Sequence, residues 1–322
     1  MDMIKSTTSL VLFFVLSLSA YADLSAQIDL GNYINDMQSV AIPRAAGSYN
    51  HELVKQFLID RLESLGYQVS LQNYGTGVNI IGRQLGATLP HEDVIVSAHY
   101  DSAYEDPSCI GADDNASGVV GVLEMARVLS HQTFDRTLTI AFWDEEELGL
   151  IGSKAYVANH NNNFITKMML NFEMIGYTSN APNSQTMPFG LELFFPNQIE
   201  QIKNNGYRAD FIATIGDNSA DTNLSLSSIN QAAEINDLKI VGFTLDDWQI
   251  KSSLFRDFRR SDHAAFWEMN IPAIVFGDTA NFRSPYYHCM QKLQDSLDTI
   301  DYNFAIKVVK VATAAATEAL DK

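Results

Sequence analysis

Cations and cysteines are scarce in this chain. Lys and Arg number 21 against 39 Asp and Glu, a formal net charge of −18 over 322 residues. A nucleic-acid binder needs a basic face to displace counterions from phosphate, so this balance argues against one. It argues equally against docking on anionic lipid. Phosphate loops are missing too: no Gly-x-Gly-x-x-Gly or Gly-Lys-Ser/Thr element occurs, and Gly118 and Gly121 do not form one. Beyond residue 22 no run is long and apolar enough to span a bilayer. Internal repeats, low-complexity tracts and linkers are absent. What remains is a globular composition, 46% apolar and 19% charged. The length suffices for a large core.

Residues 1–22 read as a secretory leader. Lys5 supplies the positive region, Leu10-Val11-Leu12-Phe13-Phe14-Val15-Leu16-Ser17-Leu18 the apolar run, and Ala20-Tyr21-Ala22 the cleavage pattern. An uncleaved anchor is the alternative, but a spanning helix needs about 20 apolar residues. The expectation is one domain over 23–322, exported to the periplasm or the medium and monomeric. Outside the cytoplasm, Cys109 and Cys289 are free to oxidise.

Strand and helix patterns alternate along the mature chain. Leu53, Phe57, Leu58, Leu62 and Leu65 have helical spacing, closed by Gly66. Val94–Ala98, Leu138–Phe142, Met168–Phe172 and Pro272–Phe276 are buried-strand runs. Val119, Val122, Leu123, Ala126 and Leu129 repeat as a helix, as do residues 150–159 and 302–320. Residues 180–235, rich in Asn and Ser, resist assignment. The order predicts an α/β fold, a mostly parallel mixed sheet with helices on both faces.

In such sheets ligands bind beyond the carboxyl ends of the strands. Here each buried strand delivers a carboxylate or an imidazole at that end: His99-Tyr100-Asp101, Asp144-Glu145-Glu146-Glu147, Glu173, and further on Tyr287-His288. Clustered carboxylates repel one another and raise their own pKa values. These loops lack the cations to offset them, so a divalent ion or two is expected. Mixed His and carboxylate donors suit zinc. In His99-x-Asp101 the carboxylate is placed to hold the ring N–H of a metal-binding imidazole.

Taken together, Ala98-His99-Tyr100-Asp101-Ser102, Gly111-Ala112-Asp113-Asp114-Asn115-Ala116-Ser117-Gly118, Glu145-Glu146-Glu147-Leu148-Gly149, Asn171-Phe172-Glu173, Ser261-Asp262-His263 and Tyr287-His288 resemble the motifs of the co-catalytic di-zinc aminopeptidases of the bacterial leucyl type. The resemblance covers about residues 45–300. It implies two zinc ions per chain, with Asp114 bridging them, His99 and Glu173 on one, and Glu147 and His288 on the other. It implies Glu146 as general base, Asp101 as the residue orienting His99, and a cis Asp114–Asn115 bond. The substrate it implies is the N-terminus of a peptide or protein. Two departures stand out: Glu173 where Asp is commoner, and Phe258 where some members carry an oxyanion-stabilising Tyr. Arg259, Arg260 and His263 are alternatives for that role. Metal sites at His288 and Asp114 would also draw Cys289 and Cys109 together, and a disulfide is the preferred reading over free thiols or metal ligation by Cys289.

Plainer readings stand beside these. His51, His91, His131 and His160 lack carboxylate companions and read as solvated. Ser261 or Asp262 could cap a helix, one of Asp113 and Asp114 could do the same, and an acidic run is commonly a solvated turn. The functional alternatives are a single-zinc glutaminyl-peptide cyclotransferase, a carboxypeptidase, and a non-catalytic peptidase-like binding domain.

Overall fold

Among the described residues eight strands form one sheet in the order β1-β2-β4-β3-β5-β8-β6-β7. They are β1 (Gln68–Asn73), β2 (Val78–Gln84), β3 (Leu89–His99), β4 (Arg136–Trp143), β5 (Ile165–Glu173), β6 (Ile212–Asp217), β7 (Ile240–Leu245) and β8 (Ala273–Gly277). The computed structural model describes residues 24–159 and 164–321. The leader expected at 1–22 and His160 lie outside the described residues.

The centre of the sheet, β4-β3-β5-β8, is parallel, while β1, β2 and the β6–β8 contact are antiparallel. The expected mixed α/β sheet is therefore present. Its central strands are buried on both faces, and alternate residues feed two separate cores. Val94, Val96 and Ala98 pack into one, with helices α1 (Leu30–Val40), α2 (Tyr49–Ser64), α3 (Gly118–Leu129), α6 (Ala220–Ile235) and α9 (Tyr302–Leu320). Ile95, Ala141, Trp143 and Met169 pack into the other, with α4 (Ile151–Ala158), α5 (Pro196–Asn204), α7 (Asp247–Lys251) and α8 (His263–Glu268). Both faces are thus covered by helices.

The helices start where the sequence chemistry places them. Ser48 accepts from the His51 N–H, Ser219 from Thr222 and Asp301 from Phe304. The segment 180–235, unassigned from sequence, contains α5, β6 and α6. Its strand is short and ends on Gly216-Asp217, which hid its period. Among the described residues no helix is long and apolar enough to cross a membrane.

Candidate metal centre

Parallel pairing sets the first half of the site. Ser97 of β3 faces Asn171 of β5, and the chain runs two residues further on each strand, to His99 and Glu173. Asp114 comes from the turn Ala112–Ser117 that leads into α3. That turn needs Gly111, whose φ is +52°, and a Cβ there would stand 2.1 Å from the Asp114 carbonyl oxygen. The Asp114–Asn115 peptide bond is cis, as the motif implied. Asp295 fastens the same turn by accepting the Asp113 and Asp114 N–H groups, each at 2.9 Å.

Two sets of donor atoms result. His99, Asp114 and Glu173 form one, and Asp114, Glu147 and His288 the other, with all donors in a set within 4.8 Å of one another. His99 Nε2 stands 3.3 Å from Asp114 Oδ1 and 3.5 Å from Glu173 Oε2. His288 Nε2 stands 3.3 Å from both Asp114 Oδ2 and Glu147 Oε2. In a tetrahedral zinc site with bonds of about 2.0–2.1 Å, ligand atoms stand about 3.3–3.4 Å apart. Among the described residues the buried His99 Nε2 and Glu147 Oε1 have no hydrogen-bond partner. Orphaned buried polar atoms are costly unless something binds them. The residues present therefore fit two divalent ions sharing Asp114.

Glu146 lies outside both sets, its Oε2 4.0 Å from His99 Nε2. Asp101 does more than the sequence suggested. Its Oδ1 accepts from His99 Nδ1 at 3.2 Å, and its two oxygens accept the Glu146 and Glu147 N–H groups, also at 3.2 Å. One carboxylate thus sets an imidazole and the acidic loop together.

The electrostatics follow from crowding. Burial, with the neighbouring charges of Glu173, Asp262 and Glu147, pushes Glu146 well above the ordinary carboxylate range, with His99 opposing. Burial and Asp114 do the same to Glu147, and burial lifts Asp262 to about 7. Burial works against the His99 cation, yet Glu173 and Glu146 hold its pKa well above the ordinary value. Burial also opposes an ionised Asp114, but His288 and His99 hold its pKa below the usual range. This is the mutual repulsion the acidic strand ends predicted.

Some residues escaped the sequence reading. Arg44 is fully buried behind the cradle and donates to the carbonyls of Tyr100, Ile110 and Gly111. Burial lowers it to about 10. Only a lone Arg in a Pro-Arg dipeptide marked it. His51 is not solvated: it is buried, stacked on Tyr100, and bonded to Asp144 at 2.8 Å. Its partner lies 93 residues away, beyond any local pattern. His91 and His131 are exposed, as expected.

Ser261 caps no helix. It donates to Glu173 Oε2 at 2.6 Å and accepts from Asn171, fixing the longer side chain that replaces Asp. Asp262 precedes α8 but its side chain makes no capping bond. Asp113 accepts from the Gly176 N–H and Ser117 Oγ rather than capping α3. Of the three alternatives to the missing Tyr, Arg259 is bonded to the Ser252 carbonyl and His263 to the Phe258 carbonyl. Burial lowers His263 to about 4, so it is neutral. Arg260 instead donates to the Tyr287 hydroxyl at 2.7 Å, and that ring stacks on His288. Cys109 and Cys289 are disulfide-bonded, with Cα atoms 5.7 Å apart, which excludes Cys289 as a ligand.

Beside Glu173 opens a cavity of about 130 Å³, walled by Met187, Leu191, Phe211, Phe243, Phe258 and Phe282.

Fold and donor sets together describe an α/β protein with an acidic cradle, fit for two cations, at the carboxyl edge of parallel strands. The chain belongs to peptidase family M28, whose family model matches residues 79–316. It is 31% identical to leucine aminopeptidase 2 of Trichophyton rubrum over 64% of this chain and 34% of that protein. The chain spans 64%, 22% and 34% of the lengths of three curated relatives it matches. Its fold is similar to that of the Legionella pneumophila LapA aminopeptidase (TM-score 0.69, 18% identity, 94% of this chain, 74% of that one). The glutaminyl cyclase of Porphyromonas gingivalis is similar as well (TM-score 0.63, 18% identity, 91% and 99%). Fold alone therefore does not separate the two activities.

Proposed function

We propose that this chain is an exported zinc-dependent aminopeptidase that removes the first residue of a peptide. The observation that carries the proposal is the pair of donor sets sharing Asp114, with Glu146 beside both and belonging to neither. His99, Asp114 and Glu173 would hold one zinc ion, and Asp114, Glu147 and His288 the other. Bound zinc lowers the pKa of water and polarises a carbonyl. Glu146, beside the cradle and raised in pKa by burial, takes a proton from the attacking water and returns it to the leaving amine. The Tyr287 hydroxyl accepts from Arg260 and keeps its own proton to donate, so it serves the carbonyl oxygen in place of the Tyr that Phe258 replaces. The apolar cavity beside Glu173 receives the first side chain. The acidic rim suits a cationic N-terminus. A leader at 1–22 and an oxidised cysteine pair are consistent with export.

The peptidase family membership and the leucine aminopeptidase relative support this reading. The test is a metal count on the zinc-loaded protein, combined with cleavage of free and N-acetylated leucyl peptides. Two metals per chain and cleavage confined to free amines support it. One metal with pyroglutamate formed from glutaminyl peptides would establish the cyclase alternative.

A further inference from the structure

The two donor sets are held by different means, and the difference points to the disulfide. His288 sits in the short turn Tyr287–Lys292. Its φ is +54°, followed by +53° at Cys289 and +65° at Lys292. Residues with a Cβ enter that left-handed region reluctantly, and here three of six do so. The backbone hydrogen bonds of the turn are local, Cys289 to Tyr286 and Leu293 to Met290. The bridge instead reaches across to Cys109, five residues before the shared ligand Asp114.

The Cys109 side is the fixed side. Arg44 grips the carbonyls of Ile110 and Gly111, and Asp295 grips the amides of Asp113 and Asp114. The bridge therefore ties the His288 turn to an anchored segment. The Asp295 N–H also points to Cys289 Sγ at 3.3 Å, which ties the end of the turn to the same sulfur. His99 and Glu173 depend on no such link, since sheet hydrogen bonding places them.

We propose that the Cys109–Cys289 bridge is the positioning element of the second donor set, so that its metal position is complete only while the bridge is oxidised. The inference rests on the two-metal reading above. Reduction transfers two electrons to the disulfide and yields two thiols. With a phosphine reductant the phosphine becomes its oxide, and water supplies the oxygen and both protons. Freed of the bridge, His288 and Cys289 relax toward ordinary backbone angles and His288 Nε2 leaves Asp114 and Glu147. The His99–Asp114–Glu173 set stays.

The test compares the oxidised protein, the phosphine-reduced protein freed of reductant, the same sample reoxidised, and C109S/C289S. Each is titrated with zinc against a chromophoric chelator, and with cobalt to read each position by its visible absorption. Circular dichroism and thermal melting report whether the variant folds, and the reduced wild type serves if it does not. The first position should keep its affinity. The second should weaken by roughly 10- to 100-fold, the range for losing a support behind a ligand. Reoxidation should restore it, and H288A should imitate the bridgeless protein in metal count. Two positions of unchanged affinity without the bridge would overturn the proposal, as would equal loss at both. An oxidised wild type that binds no zinc would instead overturn the metal reading beneath it.

Discussion

The halves of the candidate centre share one carboxylate and differ in nearly everything else. In the first, His99 and Glu173 are the last residues of adjacent parallel strands. Their separation is a property of the sheet, and His99 is wholly buried. In the second, Glu147 and His288 lie on loops with left-handed residues at Glu145 and His288, and the His288 side chain is 15% exposed. What replaces the sheet there is a set of specific ties: the Asp101 bonds to the Glu146 and Glu147 amides, and the disulfide. A parallel sheet thus supplies half a site as part of folding. The other half needs dedicated side chains, and it is the half that conditions can switch.

The sharpest way to break this comparison is to show that Glu146 belongs to one of the halves. E146Q keeps the shape and removes the base. General bases contribute roughly 10²- to 10⁴-fold, so turnover on a leucyl substrate should fall by about that much. The metal count should remain at two. A variant that loses one metal would make Glu146 a ligand and redraw the second half.

Next in size is Y287F. Tyr287 stacks on His288 and holds the Arg260 contact, so it sits on the second half without being a ligand. Removing one oxyanion donor costs roughly 10²- to 10³-fold in kcat. Loss of kcat with little change in KM, and both metals kept, is the expected pattern. Loss of metal at the His288 position would show that the ring supports the ligand and not the reaction.

D101N sharpens the comparison differently, because Asp101 is bonded to His99 of the first half and to the Glu146–Glu147 amides of the second. Replacing an outer partner of a metal-binding His costs about 10- to 100-fold in metal affinity. Here the loss should appear at both positions by chelator titration. Weakening confined to the His99 position would mean the amide contacts are incidental to Glu147.

How much of this was legible follows the same division. The first half could be read because buried strands announce themselves as apolar runs, and the polar residue that ends each run falls on the binding edge. The Val94–Ala98 run followed by His99, and the Met168–Phe172 run followed by Glu173, needed no knowledge of distant partners. The second half was readable at Glu147 for the same reason, and at His288 as the imidazole in the long loop after the Pro272–Phe276 run, while its pairing with Glu147 came only through motif resemblance. What supports it was hidden. Arg44, Asp295, and the Arg260 contact with Tyr287 act across 27 to 182 residues of chain, and none of them has a periodicity. His51, on helix α2, was misread because its carboxylate companion, Asp144, lies beyond the end of β4, 93 residues away in sequence. Strand β6 was missed because it is short and ends on Gly216-Asp217, and β7 because its six residues, at the edge of the sheet, alternate buried with half-buried instead of forming an apolar run.

The smallest effect is expected at Phe258, which faces the cavity and touches neither half as a ligand. F258Y adds one hydroxyl to the aromatic part of a mostly apolar wall, beside Phe243. A buried hydroxyl without a partner costs about 1–3 kcal/mol, so the variant should melt slightly earlier and turn over leucyl and phenylalanyl substrates a few-fold more slowly. The informative sample is the double variant with Y287F. If the wall position can present a phenol to the same carbonyl oxygen, F258Y should recover part of the activity that Y287F lost, while metal affinity at both positions stays unchanged. No recovery would mean that the oxygen lies within reach of the His288 side alone. The cavity wall would then act on the side chain of the substrate and not on its peptide bond, and the asymmetry between the halves would extend from how they are built to how they work.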